Sequence, residues 1–194
     1  MTRPYTPTNR QNAILKARAI LEQQPLYLDT ETTGLGNAAE IAEISILDEN
    51  GAVLFESLVR PSQPIPADAT QIHGITNAMV QSAPTWPAIW PTVRSLLLGR
   101  TIAIYNADFD LRMMQQSHGR YRLPWREQFN SFCIMKLYAE YRGEWDSKRR
   151  SYRYFSLDSA GQQAAISLPN SHRASDDSLL ARALLHYIAG GTPA

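Results

Sequence analysis

Apolar and polar positions change period several times along the chain. Ile14, Ala17, Ile20 and Leu21 recur at helical spacing behind Asn9, a residue suited to capping, so a first helix is expected from Asn9 to the Gln24-Pro25 pair. Leu26-Tyr27-Leu28-Asp29-Thr30-Glu31 alternates as a short strand does. Residues 41–47 and 52–59 are rich in strand formers and are joined across Asp48-Glu49-Asn50-Gly51. An Asn-Gly pair between apolar runs signals a hairpin, so the first three strands are expected as an antiparallel meander. Residues 60–87, rich in Pro, Thr and Ser, read as a long connection with one short helix. Residues 87–98 read as a helix stopped by Gly99, with Pro91 tolerated near its first turn. Residues 101–105 read as a fourth strand and 108–116 as a helix after it. Residues 129–139 read as mostly helical, 141–155 as irregular, and 157–165 and 175–188 as two more helices. In the last of these, Leu179, Leu180, Ala183, Leu184, Tyr187 and Ile188 form one apolar stripe. Antiparallel strands followed by strand and helix in alternation predict an α/β fold, a mixed sheet flanked by helices.

Length and composition narrow the class. The 194 residues suit a loose tail over 1–9 and a single domain over 10–191 that closes at Gly190-Gly191. With 44% apolar and 19% charged residues the chain is neither disordered nor fibrous. No apolar run approaches the ~18 residues of a membrane span, and the polar start of the chain is no signal peptide. Cys133 is the only cysteine, which excludes a disulfide framework and a multi-cysteine zinc site and makes a reducing, cytoplasmic compartment the expectation. Net charge is +1 but unevenly spread: −4 over residues 1–111, +6 over 112–153 and −1 over 154–194. Either this is clustering on solvated faces, or a site that holds cations lies beside a surface that meets an anion.

Three groups of acids carry candidate chemistry. Asp29 and Glu31 lie two apart in a strand, so both carboxylates share a face with Tyr27 while Leu26 and Leu28 face away. Adjacent anions there either reach solvent at the strand end or share a hard divalent cation, which takes oxygen ligands. Asp108 and Asp110 follow the fourth strand in Tyr105-Asn106-Ala107-Asp108-Phe109-Asp110, and His172 precedes Asp176 and Asp177. Both groups sit at helix starts, where the helix dipole alone favours acids. Periodicity does not choose between Asp108 and Asp110, or between Asp176 and Asp177.

In order along the chain, Leu28-Asp29-Thr30-Glu31-Thr32-Thr33-Gly34-Leu35, Asn106-Ala107-Asp108-Phe109-Asp110, and His172 with Asp177 five residues later resemble the DEDDh family of 3′–5′ exonucleases. That family includes the proofreading subunit of bacterial DNA polymerase III and stand-alone relatives. Ile72-His73-Gly74-Ile75-Thr76 is similar to a further family segment, and the resemblance runs from about Leu26 to Leu185. It implies an RNase H-like fold with a five-stranded mixed sheet. It also implies Asp29, Glu31, Asp110 and Asp177 as ligands of two Mg²⁺ ions, with Mn²⁺ as a substitute, and His172 as general base. Arg173 stands where the tyrosine variant of the family would have its tyrosine. Cys133-Ile134-Met135 departs from an Asp-Thr pair common in relatives and reads as packing.

The resemblance further implies that Thr32, Thr33, Gly34 and Leu35 meet the 3′-terminal nucleotide, with Leu35 wedged against its base. Asn106 and Phe109, in the second motif, join the expected substrate contacts. Arg142, Lys148, Arg149, Arg150 and Arg153 interleave with Tyr141, Trp145, Tyr152, Tyr154 and Phe155. Basic groups with aromatic faces suit a single-stranded nucleic acid, and Arg149 and Arg150 are the expected phosphate contacts. The alternative is a solvated loop with its aromatics turned inward. The expected partner is nucleic acid with a free 3′ end, DNA rather than RNA, with no membrane and no clear polymerase-binding tail. An exoribonuclease or a silent binding module are the rival classes.

Overall fold

The computed structural model describes residues 8–168 and 171–190. Most of the expected tail, and Gly191, lie outside that range. Helix α1 (Asn9–Leu21) is capped by Thr8 rather than Asn9: the Thr8 hydroxyl accepts from the Gln11 N–H while the Gln11 side chain accepts from the Thr8 N–H. This reciprocal box satisfies two donors at once, more than Asn9 could do alone. Its small residues Ala13 and Ala17 are fully buried, which lets α1 lie close to its neighbours.

Strands β1 (Leu26–Thr32), β2 (Ile41–Leu47) and β3 (Val53–Leu58) form the expected antiparallel meander. Between β2 and β3, Gly51 adopts φ +87° and the Asp48 carboxylate accepts from the Asn50 and Ala52 N–H groups, the tight turn that Asn-Gly announces. The connection after β3 holds two short helices, α2 (Ala67–His73) and α3 (Asn77–Val80), where one is expected. Helix α4 (Trp86–Leu97) begins one residue early, and Pro91 is its sixth residue, in the second turn rather than the first. Strand β4 (Thr101–Ile104) pairs parallel to β1, and α5 (Ala107–Arg120) outruns its expected end.

Of residues 129–139 the last six are helical, and a strand not expected there precedes them. Asn130–Cys133 is β5, parallel to β4, and α6 (Ile134–Arg142) begins only after it. Residues 141–155 are not wholly irregular either, since β6 (Trp145–Asp146) and β7 (Ser151–Tyr152) form a small hairpin. Helices α7 (Leu157–Gln163) and α8 (Ala174–Ile188) complete the chain.

The sheet order is β3-β2-β1-β4-β5, a five-stranded mixed sheet. Alternation in β1 sends Tyr27 into a core with α1, α6, α7 and α8, and Leu26 and Leu28 into a second core with α4 and α5. Cys133 packs at the edge of the second core. The buried face of α8 is broader than the expected stripe, adding Ala181 and Leu185, while Leu179 and Tyr187 are only partly covered. Among the described residues no helix is long and apolar enough to cross a membrane.

Candidate active site

Strand β4 ends at Ile104, level with Leu28, while the parallel β1 runs on to Thr32 and the chain leaves β4 toward α5. In open α/β sheets the crevice beyond such strand ends is where ligands bind. Asp29 and Glu31 lie in the part of β1 that runs beyond β4. Asp110 stands in the first turn of α5 and Asp177 in the first turn of α8, so two helix N-termini, each with a partial positive charge, are brought to the acids. The residues before these helices turn sharply: Asn106 has φ +79° and His172 φ +51°. One cavity of about 520 Å³ is lined by Asp29, Glu31, Asp110, Asp177 and His172, together with Thr30, Tyr105, Asn106, Phe109, Ser156, Leu157 and Asp158.

The acids are crowded, and two of them are shielded from water. Asp110 is 3% and Asp177 7% exposed. Burial, then the Asp110, Glu31 and Asp177 charges, hold the Asp29 carboxyl well above the usual range. Burial, with Asp177 and Glu43 nearby, pushes Glu31 up to about 8. Burial likewise lifts Asp110 to about 7, against the Thr30 hydroxyl, which donates to Asp110 Oδ1 at 2.7 Å. Burial lifts Asp177 to about 6, opposed chiefly by His172. His172 Nδ1 lies 4.0 Å from Asp177 Oδ2. One ligand atom each from Glu31, His172 and Asp177 falls within 4.8 Å of the others. Carboxylates that bind protons this readily are short of positive charge, and an all-oxygen set of acids fits hard divalent cations.

The neighbouring acids face elsewhere. Asp108 is 74% exposed and pairs with Lys136 at 2.6 Å, and Asp176 accepts from the Ser171 hydroxyl. Geometry thus places Asp110 and Asp177 in the cavity, whereas periodicity leaves both choices open.

A second cavity of about 410 Å³ adjoins the first and is lined by Thr32, Gly34, Leu35, Ile72, His73 and Phe109, among others. Leu35 and Ile72 are 77% and 61% exposed, two apolar side chains offered to solvent at its rim. The loop bearing Leu35 is tied to α5: Arg112 donates to the Leu35 carbonyl at 3.3 Å, and Gln116 to those of Gly36 and Ala39 at 3.1 and 3.0 Å. Thr33 lines neither cavity; its N–H and hydroxyl bond to the backbone of Glu40. His73 lies at the end of α2, buried, with Nδ1 accepting from the Ile75 N–H and Nε2 3.2 Å from the Thr32 carbonyl.

Arg149 and Arg150 line neither cavity. Both are exposed between β6 and β7, and Arg149 is 3.7 Å from Asp146. Phe155 turns into the core, whereas Trp145 and Tyr154 stay 60% and 46% exposed. Two charged residues beside the site stand outside the expected set. Glu43 is buried in β2 and paired with Arg173. A lone acid inside the apolar run Ile41–Leu47 is the sequence signal that marks it.

Comparison with known proteins shows the family. Residues 26–185 match the family model RNase_T, described as Exonuclease. A protein of Escherichia phage 186 named "Uncharacterized exonuclease CP81" is 40% identical over 183 residues, covering 91% of this chain and 93% of its own length. Exodeoxyribonuclease 10 of Escherichia coli K12 is 33% identical over 111 residues, and the chain spans only 44% of it. Among solved structures, exonuclease X in complex with 5′ overhanging duplex DNA superposes with TM-score 0.60 at 27% identity, covering 87% of this chain and 94% of that one.

Proposed function

The chain belongs to the Exonuclease (RNase_T) family and is a nuclease, and on that premise we propose that it is a metal-dependent 3′–5′ exonuclease acting on DNA, preferentially at single-stranded ends, through one domain spanning residues 10–191. The observation that carries this reading is the convergence of Asp29, Glu31, Asp110, Asp177 and His172 on one cavity, with each acid's proton affinity raised. Asp29, Glu31, Asp110 and Asp177 would hold two Mg²⁺ ions, whose charge offsets that of the four carboxylates. Bound there, divalent ions would acidify water and stabilise charge on the attacking and leaving oxygens of a phosphodiester displacement.

The chain's own residues supply the rest. His172, half exposed at the cavity wall, takes the proton of the attacking water. As the new bond from water oxygen to phosphorus forms, the bond from phosphorus to the bridging 3′ oxygen breaks. That oxygen leaves with the electron pair, takes a proton from solvent water and ends as the 3′-hydroxyl of the shortened strand. The product is a nucleoside 5′-monophosphate. Leu35 packs against the terminal base, the backbone around Thr32 and Gly34 receives its sugar, and Asn106 and Phe109 line the path to the acids. Arg149 and Arg150, exposed outside both cavities, attract the incoming phosphates at long range.

The test is digestion of 5′-labelled single-stranded DNA, duplex DNA and RNA of one sequence, in Mg²⁺, Mn²⁺ or EDTA. Labelled products shortening stepwise from the 3′ end, fastest for single-stranded DNA and absent in EDTA, are expected. Release of the 5′ label as a mononucleotide from the start, without labelled intermediates, would refute the polarity. RNA cut as fast as DNA would refute the preference, and undiminished cleavage in EDTA would refute the metal requirement.

A further inference from the structure

Glu43 is the one acid in a strand whose every residue is buried, and it is itself 1% exposed. The register of the sheet sets it directly opposite Glu31, yet it does not line the cavity. Both of its carboxylate oxygens are already engaged. Arg173 Nε donates to them at 3.1 and 3.0 Å, Arg173 Nη2 donates to Oε1, and the Ala174 N–H donates to Oε2 at 3.0 Å. A carboxylate gripping a guanidinium fork and the next backbone N–H fixes that stretch of chain in more than one direction.

The stretch it fixes begins one residue after His172. His172 has φ +51°, a left-handed conformation uncommon for residues other than glycine. Its ring is half exposed, and Nδ1 at 4.0 Å from Asp177 is beyond hydrogen-bond reach, so no bond to Asp177 aims the imidazole. Arg173 also opens α8, its carbonyl accepting the Asp177 N–H at 3.0 Å. Its guanidinium offsets the Glu43 charge at a point where Glu31 and Asp177 already repel.

We propose that Glu43, acting through Arg173, is a positioning residue that locks the backbone at His172 and so aims the imidazole into the carboxylate cluster. This rests on the reading of His172 as general base. Neither residue of the pair touches the reacting atoms.

A double-mutant cycle tests it, with His172→Ala, Arg173→Ala and both together assayed at saturating Mg²⁺ on single-stranded DNA. Arg173→Ala is expected to lower kcat by about 10- to 100-fold, the range for residues that orient a catalytic group, with KM within about twofold. In the His172→Ala background the same change should cost less than about twofold, because there is no imidazole left to aim. Glu43→Gln should lower kcat in the same direction without a change in KM. Should Arg173→Ala fail to fold, Glu43→Gln combined with Arg173→Gln leaves no unpaired buried charge and takes its place in the cycle. In the metal-free protein, the His172 ring proton resonances should move in Arg173→Ala and in Glu43→Gln. A wild-type rate for His172→Ala would overturn the reading of His172, and the proposal with it. A slow His172→Ala, with an Arg173→Ala loss equal in both backgrounds or with unmoved His172 resonances, would overturn the proposal alone.

Discussion

Replacing Asp110 by asparagine should make the metal-free protein more stable while abolishing hydrolysis. The Asp110 carboxyl lies at 3% exposure, and its pKa is raised from 3.8 to about 7, chiefly by burial. A carboxyl that binds its proton more tightly in the folded state than in the unfolded one destabilises the fold wherever it must ionise. The penalty is absent below about pH 4, grows by about 1.4 kcal/mol per pH unit up to about pH 7, and then levels off. That amounts to about 4 kcal/mol at its plateau. Asparagine keeps an oxygen to accept the Thr30 hydrogen bond and carries no charge to desolvate. Allowing for relaxation around the ionised acid, about half, or ~2 kcal/mol, should be recovered. For a chain of this length that is about 4–8 °C in Tm. Thermal melts of both proteins in EDTA should coincide near pH 4 and diverge toward pH 8, with the variant higher. Saturating Mg²⁺ should reverse the order, because a ligand at 100 times its Kd stabilises the wild type by about 2.7 kcal/mol and the variant has lost a donor. A variant that melts lower at pH 8 in EDTA, or a difference independent of pH, would refute the argument from crowded, desolvated acids.

Other substitutions probe separate parts of the site. His172→Ala should lower kcat by about 10²- to 10⁴-fold and leave KM and Mn²⁺ binding, measured by calorimetry, near wild type; a loss expressed mainly in KM would contradict a role in proton transfer. Leu35→Ala, at a side chain 77% exposed, should change stability by under about 0.5 kcal/mol yet raise KM for oligonucleotides, and an unchanged KM would remove Leu35 from the substrate path. Replacing Arg149 and Arg150 together by alanine should raise KM at low salt and not at high salt, with kcat unchanged, since both lie outside the cavities. A kcat loss that persists in high salt would place them closer to the chemistry than the fold does.

Local pattern alone determined a good part of this protein. The alternation of Leu26 to Glu31 assigns Leu26 and Leu28 to one core and Tyr27 to the other, and puts Asp29 and Glu31 on a shared face. Asn50-Gly51 marks its turn because Gly51 takes φ +87°, a backbone that residues with a Cβ resist. The motif resemblance carried the five-stranded sheet and the set of acids. Strand β5 escaped because four residues, Asn-Ser-Phe-Cys, half exposed at the sheet edge, are too short to show a period and form a strand only by pairing with β4. Local periodicity left Asp108 against Asp110 and Asp176 against Asp177 open; the family spacing implied Asp110 and Asp177, and the tertiary structure turns these two into the cavity. Residues one or two apart in the first turn of a helix point in different directions, and only the rotation of that helix against the sheet decides which one faces the acids of β1. The Glu43–Arg173 pair joins residues far apart in the chain, across the contact of α8 with β2. Periodicity reports which face of an element is apolar. Which charges meet across that face depends on how separate elements pack, and that is settled when the core forms.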